Sequence, residues 1–566
     1  MVILLCALLL AVSAINPSSA SSITHPVILE FLPNPEALMD QGEYVVIYNP
    51  TGQEIDISGF ILTDLEGELE IPGGTILDLE SNYRIELPAD GIQLSNSGDE
   101  VILLDNALHM VDCVIYGRSE YEGEGWQGSM LGSASEERIF RRFYLDKDTD
   151  TAYEWLPLKE YYRGQSDFIP SLKSFSGEVT VFVSPDCSLE ILQKEIRSAS
   201  ILRVNVYLFE SQDIEREVVD LLSRGGTVNI LVEGSPVGGI SDTGVKILKH
   251  IIEKGGEVRF SNDSLYRLNH AKYALIDSDT IIIGSENWNS GGYPPDGSIG
   301  NRGWGVVIRD REIFHDMSSI FEHDWAHGIK ISPGDLPQGS KSDSDEPDNR
   351  DGHEVFESKN INGEFTASMI IGPDNSLHYE TIIETINSAE KTLYIEQAYI
   401  RRDWGNDENP YLQSAINAAM QGVEVKVLLD SMWYNTNEEN DNDELCNYLN
   451  DLALQENLDL EARLVKRDGI TKIHNKGVIV DGQRVLISSI NWNKHSPTYN
   501  REIGIIIENP ELAAYYTEVF LYDWNLGRIE TESSKTIINS LILAVMVLLG
   551  ASMIYLIRQW LGKSRK

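Results

Sequence analysis

Apolar and polar positions alternate in short runs along the first third of the chain. GEYVVIYNP (Gly42–Pro50) is an apolar run that ends in a turn, and IDISGFILTD (Ile55–Asp64) alternates strictly enough for one face to be buried. LSNSGDEVILLD (Leu94–Asp105) puts a turn ahead of another strand. Short strands with regular turn signals predict a β-sandwich over residues 23–170. Near residue 178 the pattern changes to strand, amphipathic helix, strand, helix, strand, the signature of an α/β unit. It occurs twice. SPDCSLEILQKEIRSASILRVNVYLF and VVDLLSRGGTVNILVEG are echoed by GPDNSLHYETIIETINSAEKTLYIEQAYI and AINAAMQGVEVKVLLDS. The copies close on FEHDW (Phe321–Trp325) and FLYDW (Phe520–Trp524). This internal repeat predicts two α/β halves, 178–330 and 361–530, joined by a polar, acidic, Pro/Gly-rich linker over 333–360.

Both ends of the chain are apolar. MVILLCALLLAVSA and the small residues after it suit a secretory signal over residues 1–20, although a positively charged start is missing. Ile537–Ile557 is a run of 21 uncharged residues, about 31 Å as a helix and so enough to cross one bilayer core. Arg558, Lys563, Arg565 and Lys566 follow it, which predicts a basic cytoplasmic tail over 558–566 with the bulk of the protein on the other side of the membrane.

Composition narrows the function. The 566 residues are 42% hydrophobic, as in a globular protein, and 89 acids against 45 bases give a formal charge of −44. Such a field repels nucleic acid and anionic surfaces at long range, although salt screens it within about 8–10 Å and a local basic pocket remains compatible with it. Beyond the signal only Cys113, Cys187 and Cys446 occur, which is not a disulfide framework and leaves any pairing open. No Cys/His cluster has zinc-ligand spacing.

The chemistry lies in a stretch that recurs. HAKYALIDSDTIIIGSENWN begins at His270 and HNKGVIVDGQRVLISSINWN at His474. Both read His, one residue, Lys, four residues, Asp, six residues, a small pair, one residue, Asn. Alternate residues of a strand share a face, so His270 points with Lys272, and His474 with Lys476. Asp481-Gly482 is a hairpin-turn signal, and the hairpin returns Ser489 and Asn491 toward His474; Ser285 and Asn287 are their counterparts. Asp277 and Asp481 fall at strand ends and read as ties between hairpins as readily as catalytic groups. Trp288, Trp492, Tyr293, Glu396 and Tyr399 are candidates for lining a cleft, whereas His25, His109 and His353 have no partners in sequence and read as surface or loop residues.

This paired pattern resembles the phospholipase D superfamily, over nearly all of residues 178–530. The resemblance implies two repeats packed face to face around one metal-independent site, with no cofactor. It implies His270 as nucleophile, His474 as acid, and Lys272, Lys476, Asn287, Asn491, Ser285 and Ser489 around the phosphate. It also implies that an acid downstream in each repeat orients the opposite histidine. Glu502 in NREIGI is that acid for His270, but the matching residue in NRGWGV is Gly303, leaving His474 without a counterpart. The first domain in turn resembles the lamin-tail domain, an immunoglobulin-like fold, on VILEFLPNP, EYVVIYNPTGQEIDISGFILTD, LSNSGDEVILLD and VDCVIYG; its ligand is open.

The expectation is an α/β, duplicated phospholipase D-like fold behind an immunoglobulin-like β-sandwich, held at the cell membrane by one C-terminal transmembrane helix. Its expected activity is hydrolysis or transfer of phosphatidyl groups, with phospholipid as substrate, because the span begins soon after Glu502. A nuclease of the same superfamily, with nucleic acid as partner, and a non-enzymatic surface binding protein are the alternatives.

Overall fold

The computed structural model describes residues 23–36, 41–88, 91–155, 160–340, 355–405, 407–437 and 441–526. The signal-like N-terminus, most of the expected linker with His353, the apolar run Ile537–Ile557 and the basic tail lie outside the described residues. Among the described residues no helix is long and apolar enough to cross a membrane. The chain divides into two compact units between Gln165 and Ser166.

The first unit is built from antiparallel strands. One sheet has five, including Val27–Leu32, Tyr44–Tyr48, Asn82–Glu86 and Arg138–Arg141, and another has four, including Ile61–Thr63, Gly98–Leu104 and Met110–Gly117. Phe31, Val45 and Phe140 of the first sheet share a buried core with Leu62, Val101 and Tyr116 of the second. The alternation in the sequence is thus that of two sheets with one inner face each. The buried Arg142 guanidinium donates to both oxygens of Asp112, at 2.9 and 2.7 Å. His25 and His109 pair with Asp148 and Asp105, each at 3.1 Å.

The second unit begins at Ser166, earlier than the boundary of 170 read from the sequence. Ser166 belongs there because its hydroxyl donates to Asp374 at 2.6 Å. Fourteen strands carry its architecture. The first half has β1 (Lys173–Ser184), β2 (Ile201–Val206), β3 (Thr227–Val232), β4 (Glu257–Phe260), β5 (Lys272–Ile276), β6 (Thr280–Gly284) and β7 (Gly300–Arg309). The second has β8 (Lys359–Gly372), β9 (Thr392–Gln397), β10 (Glu424–Leu429), β11 (Leu460–Leu464), β12 (Lys476–Val480), β13 (Arg484–Ser488) and β14 (Glu502–Glu508). With two short additions they form one sheet in the order β4-β3-β2-β5-β6-β7-β1-β8-β14-β13-β12-β9-β10-β11. The order reads alike outward from the centre, each strand matching the one seven places later. At the centre β1 and β8 pair antiparallel with Gly177 opposite Gly363, so the halves are continuous.

In each half the parallel strands β2-β3-β4 or β9-β10-β11 are linked by crossover helices, and the hairpin strands return antiparallel beside them. A closing helix follows, Arg311–His327 in the first half and Pro510–Asn525 in the second. Asp310 and Asn509 cap them, each side chain accepting two backbone N–H groups of the first turn. Met317 and Phe321 of one helix and Tyr516 and Phe520 of the other enter a single core that also holds Tyr273, Ile281, Ile479 and Val485.

Buried ion pairs cross between the halves. Arg302 on β7 donates to Asp523 of the second closing helix at 2.7 Å and to Asp186 of its own half at 2.6 Å. Its counterpart Arg501 donates to Asp324 of the first closing helix at 2.9 Å and faces Asp374 of its own half at 3.6 Å. All six side chains are buried. Removing one partner strands charge in a dry interior. Arg302→Leu leaves Asp186 and Asp523 uncompensated, and we expect it to cost about 3–5 kcal/mol, read as a lowered denaturant midpoint of the full chain.

Candidate active site

The two arginines that join the halves also set the two motif histidines. The His270 backbone N–H donates to the Arg501 carbonyl at 2.8 Å, and the His474 N–H to the Arg302 carbonyl at 2.9 Å. Each histidine is therefore pinned by the opposite repeat. Lys272 and Lys476 open β5 and β12, and both side chains fold back onto the carbonyls of His270 (2.6 Å) and His474.

Glu502 comes across from β14 to His270. Its oxygens lie 3.0 and 2.9 Å from His270 Nδ1, and the carboxylate is fully buried while the imidazole is 12% exposed. The Nδ1 proton held there leaves Nε2 unprotonated and directed away from Glu502. The Ser489 and Ser496 hydroxyls and the Asn500 amide also donate to Glu502. Despite burial, its carboxyl stays below the ordinary glutamate range because His270 and Lys272 favour the charged form. Burial pushes the His270 imidazole below its ordinary value, with Lys272 and Lys476 acting in the same direction and Glu502 against them.

His474 meets a carboxylate that the sequence reading missed. Its Nδ1 lies 3.3 Å from Oε1 of Glu286, the residue between Ser285 and Asn287, although the pair is not aligned as a hydrogen bond. Burial, Lys476, Lys472, Lys272 and His270 together depress the His474 imidazole well below its ordinary value. Burial lowers Lys272 to about 7 and Lys476 to about 8, and raises Glu286 to about 7. The sequence hint was that GSEN carries an acid where SSIN carries isoleucine.

The remaining candidates divide by position. Asn287 and Asn491 stand beside the paired motifs, each with a buried side-chain oxygen that accepts no hydrogen bond. Ser285 and Ser489 differ from the expected phosphate contacts, because their hydroxyls are used inside the protein. Ser285 Oγ accepts the Trp304 N–H at 3.1 Å, and Ser489 Oγ accepts the Ile503 N–H at 3.0 Å while donating to Glu502. Asp277 and Asp481 sit at the far ends of β5 and β12, about 17 Å from the lysines at 3.4 Å per residue. Both adopt positive φ, and their carboxylates accept the backbone N–H groups of Ser200–Ile201 and Glu390–Thr392. Their position therefore differs from a catalytic one: they tie each hairpin to the start of β2 or β9.

Trp288, Trp492 and Tyr293 are core residues rather than a pocket mouth, and Glu396 is buried against Asn475. Tyr399 is half-buried and accepts from Asn493 at 2.6 Å, while the Tyr207 ring meets the His270 ring edge-on at 5.1 Å. The three cysteines are unpaired and buried, and among the described residues no His, Cys, Asp or Glu group is placed to hold a metal ion. Because Glu502 favours the imidazolium form of His270, Glu502→Gln should lower the His270 pKa further, read by NMR titration; a rise would contradict the assigned contact.

Comparison with known proteins finds similarity in this region. The model for the PLD-like domain of cardiolipin synthase matches residues 192–325 and 382–524. Cardiolipin synthase of Clostridium perfringens strain 13 is 22% identical over 443 residues, covering 74% of this chain and 84% of that protein. Phospholipase D of Rickettsia felis is 31% identical over 140 residues, 25% of this chain and 60% of that protein. The solved phosphatidylserine synthase of Haemophilus influenzae is 13% identical, with a TM-score of 0.46 over 63% of this chain and 86% of its own. The matched stretches fall one on each half of the duplicated unit, so each half is similar to the PLD-like domain of cardiolipin synthase.

Proposed function

We propose that this protein is a membrane-held phosphodiesterase that hydrolyses or transfers phosphatidyl groups through a phosphohistidine. The observation that carries this reading is the reciprocal placement of the two imidazoles. Each is pinned by the other repeat, and each lies within the electrostatic reach of both lysines.

In the first step the His270 Nε2 lone pair attacks phosphorus, the P–N bond forms, and the P–O bond to the leaving alkoxide breaks. The leaving oxygen takes a proton from His474 Nε2. Water or an alcohol then gives a proton to His474 and attacks phosphorus, and the P–N bond breaks to release His270. Water gives hydrolysis, and a lipid alcohol gives transfer. Lys272, Lys476 and the amides of Asn287 and Asn491 hold the phosphoryl oxygens where charge accumulates. His474 is neutral in the empty site, and the arriving diester anion restores its proton.

The names of the relatives and the apolar run Ile537–Ile557 support phospholipid as the substrate, and that run with the basic residues after it supports a protein held at a membrane with its bulk outside the cytoplasm. The first unit is read as a lamin-tail-like positioning module, since the quoted segments form its main strands.

Full-length protein in EDTA, offered phosphatidylglycerol vesicles and single-stranded DNA in parallel, should yield product from the lipid alone. His270→Ala should reduce turnover to background and abolish a trapped phosphoryl-enzyme. Product from DNA alone would overturn the lipid assignment. Anion binding should also return protons to the depressed lysines. Calorimetry of vanadate binding in buffers of different ionisation enthalpy should show a larger proton uptake per anion at pH 8, where the lysines contribute, than at pH 6, where His474 alone does.

A further inference from the structure

The first repeat lacks the carboxylate that the second carries on its last strand, and a carboxylate reaches the same space from the β6–β7 connection. Strand register fixes the correspondence. Gly305 pairs with Gly284 as Gly504 pairs with Ser488, and Gly303 faces Ser184 as Glu502 faces Gly372. Gly303 is therefore the counterpart of Glu502, and Glu286 the counterpart of Ile490. A Cβ at position 303 would lie 2.3 Å from Glu286 Oε1, 2.5 Å from its Cγ and 2.7 Å from its Cδ. Glu286 thus fills the volume that a side chain at 303 would occupy.

The surroundings are inherited along with the space. Asn500 donates to Glu502 at 3.3 Å, and its counterpart Asn301 donates to Glu286 Oε2 at 3.0 Å. The other oxygen, Oε1, faces His474 Nδ1 at 3.3 Å, and neither atom has a hydrogen-bond partner although both are buried. A buried carboxylate oxygen and a buried ring nitrogen facing each other without partners are a costly arrangement unless a proton joins them in a working state.

We infer that Glu286 is the positioning carboxylate of His474, relocated from the last strand to the β6–β7 connection, and that its difference from Glu502 is what separates the roles of the two histidines. The inference rests on the reading of His474 as the acid. Glu502 accepts from two hydroxyls and an amide as well as His270, and so remains an anion beside the charge that develops on the nucleophile. Glu286 has the Asn301 amide and otherwise only Coulombic support from Lys476, Lys472 and Lys272. It aims Nε2–H of His474 at the leaving oxygen while holding the proton less firmly. His474 faces those three lysines and His270, and among the described residues Glu286 is the acid paired with it.

The test uses full-length Glu286→Ile, which installs the residue found at the equivalent place in the other repeat, and the swap Glu286→Ile/Gly303→Glu. Substrates are dioleoyl phosphatidylcholine, with a poor leaving group, and bis(p-nitrophenyl) phosphate, whose leaving group needs little protonation. Glu286→Ile should lower kcat on the phosphatidylcholine about 100-fold, with under roughly 10-fold loss on the nitrophenyl diester, and the swap should regain most of the difference. Equal losses on both substrates without recovery would overturn the role. If the wild type turns over neither substrate, the proposed function fails but this inference is still decided. At pH 8.5 the ring nitrogens of 15N-histidine-labelled protein should report the Nδ1–H tautomer for His474, lost in Glu286→Ile and regained in the swap. An unchanged tautomer across the three proteins would overturn it.

Discussion

The reciprocal crossing of Arg302 and Arg501 is the constraint on which the rest of this molecule depends. Each guanidinium reaches an aspartate of the opposite closing helix and one of its own half, in a region closed to water. A buried pair of this kind contributes little net stability against a well-packed apolar alternative, but it penalises every arrangement that leaves a charge unmatched. The pairing therefore favours the register in which the two halves meet. Because the carbonyl of each arginine also receives the N–H of a motif histidine, that register fixes where the two imidazoles lie.

The charge distribution follows from this geometry. A chain with a formal charge of −44 concentrates two lysines, two imidazoles and two glutamates in one buried cleft. Without water to solvate them, the lysines are depressed toward neutrality, and the histidines with them. On the proposed reading an entering phosphodiester anion would supply the missing counter-charge, so the cost of burying the cations would be recovered on binding. Solvation of the chain surface and electrostatics of the cleft are separate matters, which is why bulk acidity does not forbid an anionic substrate.

Inside that cleft the pseudo-symmetry is broken at the carboxylates. The second repeat uses a glutamate on its last strand, whereas the first uses glycine there and a glutamate on the preceding connection. The two carboxylates occupy equivalent volumes with different hydrogen-bond support. A duplicated fold thereby presents two imidazoles in unlike electrostatic settings, as a reaction with one nucleophile and one acid requires.

The duplication, the alternation of strands and helices, and the paired His-Lys-Asn spacing were legible in the chain because they are local: periodicity of two or 3.6 and fixed offsets need no tertiary information. Glu502 was legible through resemblance, and Asp277 and Asp481 through their places at strand ends. The recurring SPD/GPD, NRG/NRE and HDW/YDW phrases were also visible, yet their Arg and Asp residues could not be joined, since each pair spans more than a hundred residues of sequence. Glu286 stayed hidden because its partner lies in the other repeat and its space is vacated by a glycine whose meaning appears only once the strands are in register. The sequence by itself determined which elements form and which side chains share a face. The tertiary structure alone decided which buried charges meet, because burial turns a distant pair of residues into an obligatory contact.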